Sequence, residues 1–302
     1  MLGLATRQAG AAAAPEPPVP VVYPDIGEPF RSVFLRIVQG IDERLPQPGI
    51  KLLVPPQAEP GAWVAELQRQ RPRVVVALGR AGLRVALGLE GVEVVGGGII
   101  TPAEGDQRAT SLQSLAPDPQ LLLQRLRSLL PTVQRVSVVF SARHSGWLMR
   151  PAQEAARALG LELRPLEAED LKQALRAYQQ FFAQAGRQDA LWLPQDPATV
   201  DEHTVLPLAL QECWNRHIAL LSSNLAHVRR GALFALYPNN LALGHSLGQA
   251  ATALLARSSA APRGLRPLRE VLAALNTRTA GHLGLNPSPA LQRSFELLLP
   301  ER

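Results

Sequence analysis

From Pro20 to Tyr237 the chain alternates two hydrophobic patterns. The first is a series of short apolar runs: PVVYPD (20–25), KLLVP (51–55), RVVVALG (73–79), VEVVGGGI (92–99), RVSVVFS (135–141), LELRPLE (161–167), DALWLP (189–194), IALLSS (218–223) and GALFALYP (231–238). Continuous runs rich in β-branched residues suit strands buried on both faces, as in parallel sheets. The second pattern places apolar residues three and four apart. Val33, Phe34, Ile37, Val38 and Ile41 fall on one helical face, and helices are also predicted over 62–70, 80–87, 150–160, 171–184 and 206–217. In LAPDPQLLLQRLRSLLP, Asp118 stands as N-cap, Pro119 at the first helical position and Pro131 as a stop. Gly160 sits just past the end of its helix. Strand–helix alternation predicts α/β architecture with doubly wound parallel sheets. A chain of 302 residues has room for two such units. The polar stretch TPAEGDQRATSLQ (101–113) is the first place where the chain is expected to cross between them.

Composition narrows the function. Apolar residues make up 46% and charged residues 19%, a globular balance rather than a disordered one. The net charge of +6 comes almost wholly from scattered arginines, with lysine only at Lys51 and Lys172, and aromatics are 5%. Without basic runs or stacking residues, no nucleic-acid partner is expected. The one cysteine, Cys213, lies in an apolar-periodic stretch and reads as a buried, inert thiol. No stretch of about 18 apolar residues could span a membrane. His144, His203, His217, His227, His245 and His282 show no zinc-ligand spacing, and no P-loop occurs, so no metal or cofactor is expected. Asp196, Asp201 and Glu202 cluster after DALWLP, where helix-start charges are the common role. Residues 1–18 read as a tail or a signal-peptide remnant, with A-x-A-like small residues at Ala11 and Ala13 ahead of a Pro-rich start.

Gly244-His245-Ser246-Leu247-Gly248 matches the G-x-S-x-G nucleophile elbow of α/β-hydrolases. That elbow needs a strand leading straight into it, and only Leu241 to Leu243 separate Gly244 from the Asn239-Asn240 turn. Leu243, Leu247, Ala250, Ala251 and Leu254 keep helical spacing through the motif, and no Asp follows Ser246 to complete a triad in the usual order. A helix with Gly244 and Gly248 at a close crossing is the expectation. A serine hydrolase using Ser246 is the alternative.

One series of blocks is more specific than any single motif: SLAPDPQLLLQRLRSLLP, VVFSARHSGWLMRPAQEAARALGLEL, DALWLPQDPATVDEHTVLPLALQECW, IALLSSNLAHVRRGALFALYPNN, LGHSLGQAA and LAALNTRTAGHLGL, within 111–285. In this order they resemble the ABC-transporter substrate-binding proteins that include tryptophan and tyrosine binders, a family of type I periplasmic-binding-protein fold. The resemblance implies two lobes joined by three crossings: lobe 1 over 19–110 plus 238–272, and lobe 2 over 111–237 plus 273–302. It also implies a monomer that binds a small ligand between the lobes, hands it to an ABC permease, performs no catalysis, and resides in the periplasm or on a lipid anchor. The corresponding cleft residues are Tyr23, Pro24, Asp25, Gly79, Arg80, Ser141, Arg143, His144, Ser145, Asp196, Thr199, Ser222, Ser223, Asn224 and Tyr237. Hydroxyls and helix-start N–H groups suit a carboxylate, Asp196 an ammonium group, and Tyr23 or Trp147 an apolar ring. Arg80, Arg143 and His144 stand where small polar residues are expected and point to a more acidic ligand. A ligand sensor or docking module without transport is the other reading.

Overall fold

A computed structural model describes residues 18–300; of the tail expected over 1–18, residues 1–17 lie outside the described residues. The first lobe begins with β1 (Pro20–Pro24), α1 (Phe30–Asp42), β2 (Ile50–Val54), α2 (Pro60–Arg69), β3 (Val74–Leu78), α3 (Gly79–Ala86), β4 (Glu93–Ile99) and β5 (Ser111–Pro117). The second lobe takes α4 (Pro119–Leu129), β6 (Arg135–Phe140), α5 (Ala142–Ala158), β7 (Glu162–Glu167), α6 (Leu171–Gln184), β8 (Asp189–Leu193), α7 (Val205–Arg216), β9 (Ala219–Ser222), α8 (Leu225–Arg230) and β10 (Phe234–Pro238). The chain returns to the first lobe for α9 (Asn240–Leu255) and β11 (Gly264–Leu268). It ends in the second with β12 (Val271–Asn276), α10 (Thr277–His282), α11 (Pro289–Gln292) and β13 (Leu297–Leu299).

The first sheet has the order β11-β5-β4-β3-β1-β2 and every pairing in it is parallel. The second has the order β13-β12-β10-β9-β8-β6-β7, parallel except where β10 meets β12. The β-branched runs fill the middle of each sheet. Val74 to Leu78 are buried throughout, as are Asp189 to Leu193. Helices cover both faces, with separate apolar clusters on the two sides of each sheet. The expected caps form: Asp118 accepts from the Gln120 N–H, and Gly160 takes φ +66°. Cys213 is buried, and burial pushes its thiol pKa up.

Three strand-level features depart from the hydrophobic reading. Strand β5 lies in the first sheet, so the chain leaves that lobe after Pro117 rather than at residue 110. Its Ser111, Gln113 and Ser114 are buried polar residues whose partners come from elsewhere: Arg266, Glu270 and the Ile100 carbonyl. The return crossings fall at Pro238–Asn240 and Leu268–Val271, which puts all of β12 in the second lobe, short of the boundary at 272. The crossings are bonded to one another: the Asp118 N–H donates to the Leu268 carbonyl at 2.8 Å, and the Asn239 N–H to the Glu270 carbonyl at 2.9 Å.

GHSLG lies wholly inside α9, so no nucleophile elbow forms. The Ser246 hydroxyl donates to Gln113 Oε1 at 3.1 Å, and Gln113 Nε2 donates to Glu270 beside the third crossing. His245 pairs instead with Glu43, the C-cap of α1. The two glycines let α9 lie against α1. A β-carbon at Gly244 would overlap the Ile37 carbonyl oxygen and sit 2.8 Å from the Gly40 α-carbon; one at Gly248 would sit 2.7 Å from the Ile41 carbonyl oxygen. The motif is therefore a helix crossing tied to the hinge, and the hydrolase alternative built on Ser246 is set aside.

Candidate functional site

Strands β6, β8 and β9 are neighbours in one parallel register, so the loops leaving their carboxyl ends lie side by side. This is the edge at which doubly wound sheets place ligands. Asp196 clasps two of these loops. Its carboxylate accepts from the Ser141 N–H at 2.7 Å, the Ser141 hydroxyl at 2.9 Å and the Ala198 N–H at 3.0 Å, and the residue is 2% exposed. Ser141 Oγ also meets His144 Nδ1 at 2.9 Å, and the Thr199 hydroxyl donates to the Val139 carbonyl at 3.1 Å. Ser141, His144, Asp196 and Thr199 are thus brought together, but as internal bracing. The ammonium partner expected of Asp196 is replaced by three donors of the protein itself.

The third loop carries a second network. Ser222 Oγ lies 2.7 Å from His227 Nδ1 and accepts from the Asn224 N–H at 3.0 Å. His227 Nε2 lies 2.9 Å from Glu202 Oε1, whose other oxygen pairs with Arg230 at 3.0 Å. Burial holds the His227 pKa below its ordinary value of 6.5, against the opposing pull of the Glu202 hydrogen bond. A neutral ring then donates from Nε2 to Glu202 and accepts the Ser222 hydroxyl proton at Nδ1. The order serine–histidine–carboxylate imitates a triad, but Ser222 is fully buried, so its oxygen is closed to a substrate. Ser223 is buried too: its hydroxyl faces Trp192 Nε1 at 3.4 Å and its carbonyl accepts from Gln195 Nε2 at 2.9 Å. Gln195 Oε1 is left as a buried acceptor without a partner among the described residues.

Above these networks a cavity of about 310 Å³ spans the two lobes. Ile100 and Thr101, just past β4, form its first-lobe wall. Pro194 to Pro197, Val200, Glu202, Asn224 and His227 form the second-lobe wall, and no Arg or Lys among the described residues lines it. Of the sequence candidates, Asp196 and Asn224 line this cavity, and Asn224 also caps α8 by accepting from the Ala226 N–H. Tyr23 and Pro24 are buried at the end of β1, Asp25 is exposed there, and none of the three lines the cavity. Gly79 takes φ +67°, which lets β3 turn directly into α3. Arg80 bonds to Asp106 and to the Thr101 carbonyl, so it braces the first-lobe rim. Arg143 is exposed on the first turn of α5 with no hydrogen bond or ion pair among the described residues, and Ser145 is buried. Tyr237 is half-buried against the cluster of Val228, Ala235, Ala274 and Leu299, and burial pushes its phenol pKa up. Glu202, His227 and Thr101 were not among the candidates. Glu202 carried the one sequence signal, as a member of the acidic cluster after β8; Asp201 from that cluster accepts from the His203 and Thr204 N–H groups in the turn ahead of α7, whose N-cap is Thr204.

No family model matches the chain, and no curated relative matches it. Solved structures do. A substrate binding protein with adhesive properties from Clostridium difficile, in its ligand-free, open structure, superposes with TM-score 0.66 at 12% identity, over 92% of this chain and 98% of that one. A conserved domain protein from Vibrio cholerae gives 0.56 at 13% identity, over 94% and 100%. An ABC domain from Streptococcus pneumonia in complex with L-Trp gives 0.55 at 14% identity, over 93% and 100%. At these identities the likeness is one of fold. The chain has the two-lobed architecture of type I periplasmic-binding-like proteins, and no helix among the described residues is long and apolar enough to cross a membrane.

Proposed function

We propose that the chain is a solute-binding protein of an ABC-type uptake system, which takes a small ligand into the cavity between its lobes and passes it to a permease. The observation that carries this reading is the interlobe cavity itself. It lies at the carboxyl ends of β4, β8 and β9, between two lobes whose crossings form a hydrogen-bonded hinge suited to closure. The two-lobed neighbours, one of them in complex with L-Trp, support the same class. Export to the periplasm, or attachment there by a lipid, belongs to this reading, as does action as a monomer.

The cavity wall favours a ligand that donates hydrogen bonds. The Glu202 carboxylate, bonded to His227 and Arg230 but with its side chain 46% exposed, keeps lone pairs for a ligand, and the Gln195 Oε1 atom lacks a donor among the described residues. An unpaired buried acceptor costs about 1–3 kcal/mol, so a ligand N–H placed there gains on that account. The arginines that suggested an acidic ligand stand elsewhere: Arg80 is paired with Asp106, and Arg143 does not line the cavity. A volume of about 310 Å³ is at the small end of ligand pockets and suits a molecule of amino-acid size with an ammonium or amide group.

A thermal-shift screen over small amines, amino acids and amides tests this. At one hundred times its Kd a ligand should add about 2.7 kcal/mol of stability, and Glu202→Gln should weaken it about tenfold. A library in which nothing stabilises the protein, or a ligand indifferent to both Glu202→Gln and Gln195→Ala, rejects the assignment.

A further inference from the structure

A second depression is larger than the interlobe cavity. It is a pocket of about 860 Å³ confined to the second lobe, beside the end of the sheet where β12 and β13 finish and β10 begins. One wall is a single face of α7: Leu210, Gln211 and Trp214 stand at helical spacing along it. The opposite wall carries Arg229 and Arg230 at the end of α8 and Arg278 at the start of α10.

Two features single it out. The first is charge. Among the described residues three arginines line the pocket and no Asp or Glu does. Arg230 is neutralised by Glu202, but Arg229 and Arg278 are exposed and have no ion pair or hydrogen bond among the described residues. The second is an exposed aromatic plate. Trp214 is 37% exposed in a protein that otherwise buries most of its large apolar side chains. Its ring is held flat by stacking on His282 with centroids 3.7 Å apart, and the Arg278 guanidinium lies 6.0 Å from its centroid. Leu210 and Leu299 supply further apolar surface.

We propose that this pocket is a second ligand site, distinct from the interlobe cavity, for a small anion with an apolar body: an aryl or alkyl carboxylate, sulfonate or phosphate. The anionic head would sit between Arg229 and Arg278, and the body would lie along Trp214 and Leu210. Guanidinium groups suit such heads because their fixed N–H fork pairs with two oxygens at once. The two pockets would select opposite charges. The carboxylates of Asp196 and Glu202 and the Gln195 carbonyl line the interlobe cavity, whereas the guanidinium groups of Arg229, Arg230 and Arg278 line this one. The proposal does not depend on the uptake reading.

The probe is 1-anilinonaphthalene-8-sulfonate, titrated into the full chain and followed by its own fluorescence and by quenching of tryptophan. Saturable binding at one site per chain is expected. The Arg229→Ala/Arg278→Ala double variant should weaken it at least tenfold, and Trp214→Leu should remove most of the quenching. Because both arginines are exposed and unpaired, the double variant should keep wild-type circular dichroism and melting. Gln195→Ala, in the interlobe cavity, should leave the sulfonate's affinity unchanged. The uncharged analogue N-phenyl-1-naphthylamine should bind at least tenfold more weakly than the sulfonate. Sulfonate affinity unaltered in the double variant, affinity lost in Gln195→Ala, or equal affinity for the uncharged analogue would each overturn the site.

Discussion

Ser246 and Ser222 invite comparison because each looks catalytic by a different criterion. Ser246 has the motif: it sits in GHSLG, with a histidine next to it in sequence. Ser222 has the geometry: its hydroxyl, the His227 ring and the Glu202 carboxylate form a line of hydrogen bonds of 2.7 and 2.9 Å, though no motif announces it. Neither oxygen is placed to attack a substrate. The first is inside a helix and committed to Gln113 of β5; the second is fully buried beneath the cavity wall. A motif reports residue spacing along the chain, and a triad reports spacing in three dimensions. Accessibility is a third requirement that neither supplies.

The comparison can be broken first at the glycines. If GHSLG is a packing motif, Gly244→Ala should destabilise the protein by about 2–3 kcal/mol, as overpacking does, despite the gain of about 1 kcal/mol in helix propensity. The added β-carbon has only main-chain atoms of Ile37 and Gly40 to displace. A urea midpoint at or above the wild type would show that the α1–α9 crossing does not need its glycines.

Next in size is Ser222→Ala. It strands the Asn224 N–H and His227 Nδ1 inside the protein, and a loss of about 2 kcal/mol is expected. An unchanged midpoint in the same denaturation series would mean that water or another side chain replaces the hydroxyl.

A pH series separates the two regions further. The folded protein holds the His227 pKa below 6.5, so the unfolded chain takes up the proton more readily. Its effect on stability is therefore neutral well above pH 6.5 and destabilising as pH falls through 6.5 toward the folded value. His227→Gln should flatten the difference in unfolding free energy between about pH 7.5 and about pH 5.5; a slope retained in full would assign it to other groups.

The smallest effect is expected from Ser246→Ala: about 1 kcal/mol or less in stability from one lost hydrogen bond, and no change in ligand binding. In the wild type a fluorophosphonate probe should label neither serine. Labelling lost in Ser246→Ala would restore the elbow, and labelling lost in both Ser222→Ala and His227→Gln would make the buried line of hydrogen bonds a working triad.

The sequence by itself determined the alternation and hence the class. Continuous β-branched runs such as Val74 to Leu78 have only one use in a chain of this length, because both of their faces must be covered. It also determined local chemistry that acts within a few residues: the Asp118 cap, the glycine past the end of α5 at Gly160, and the helical course of α9. It could not show β5 as a buried strand, since Ser111, Gln113 and Ser114 look solvent-facing until Arg266, Glu270 and Ile100 arrive from distant positions to satisfy them. Nor could it tell a ligand-facing carboxylate from a bracing one. Asp196 and Glu202 are six positions apart and both line the cavity, yet folding commits the first, 2% exposed, to donors of Ser141 and Ala198 and leaves the side chain of the second 46% exposed beside Arg230. The pocket around Trp214 draws on α7, α8, α10 and β13, and its positive lining arises because the fold brings Arg229 and Arg278, 49 positions apart, to one depression. Backbone propensity acts over neighbouring residues and is written in order along the chain. The surroundings of a charge are set by whatever the fold brings within a few ångströms of it, and that is decided by the tertiary structure.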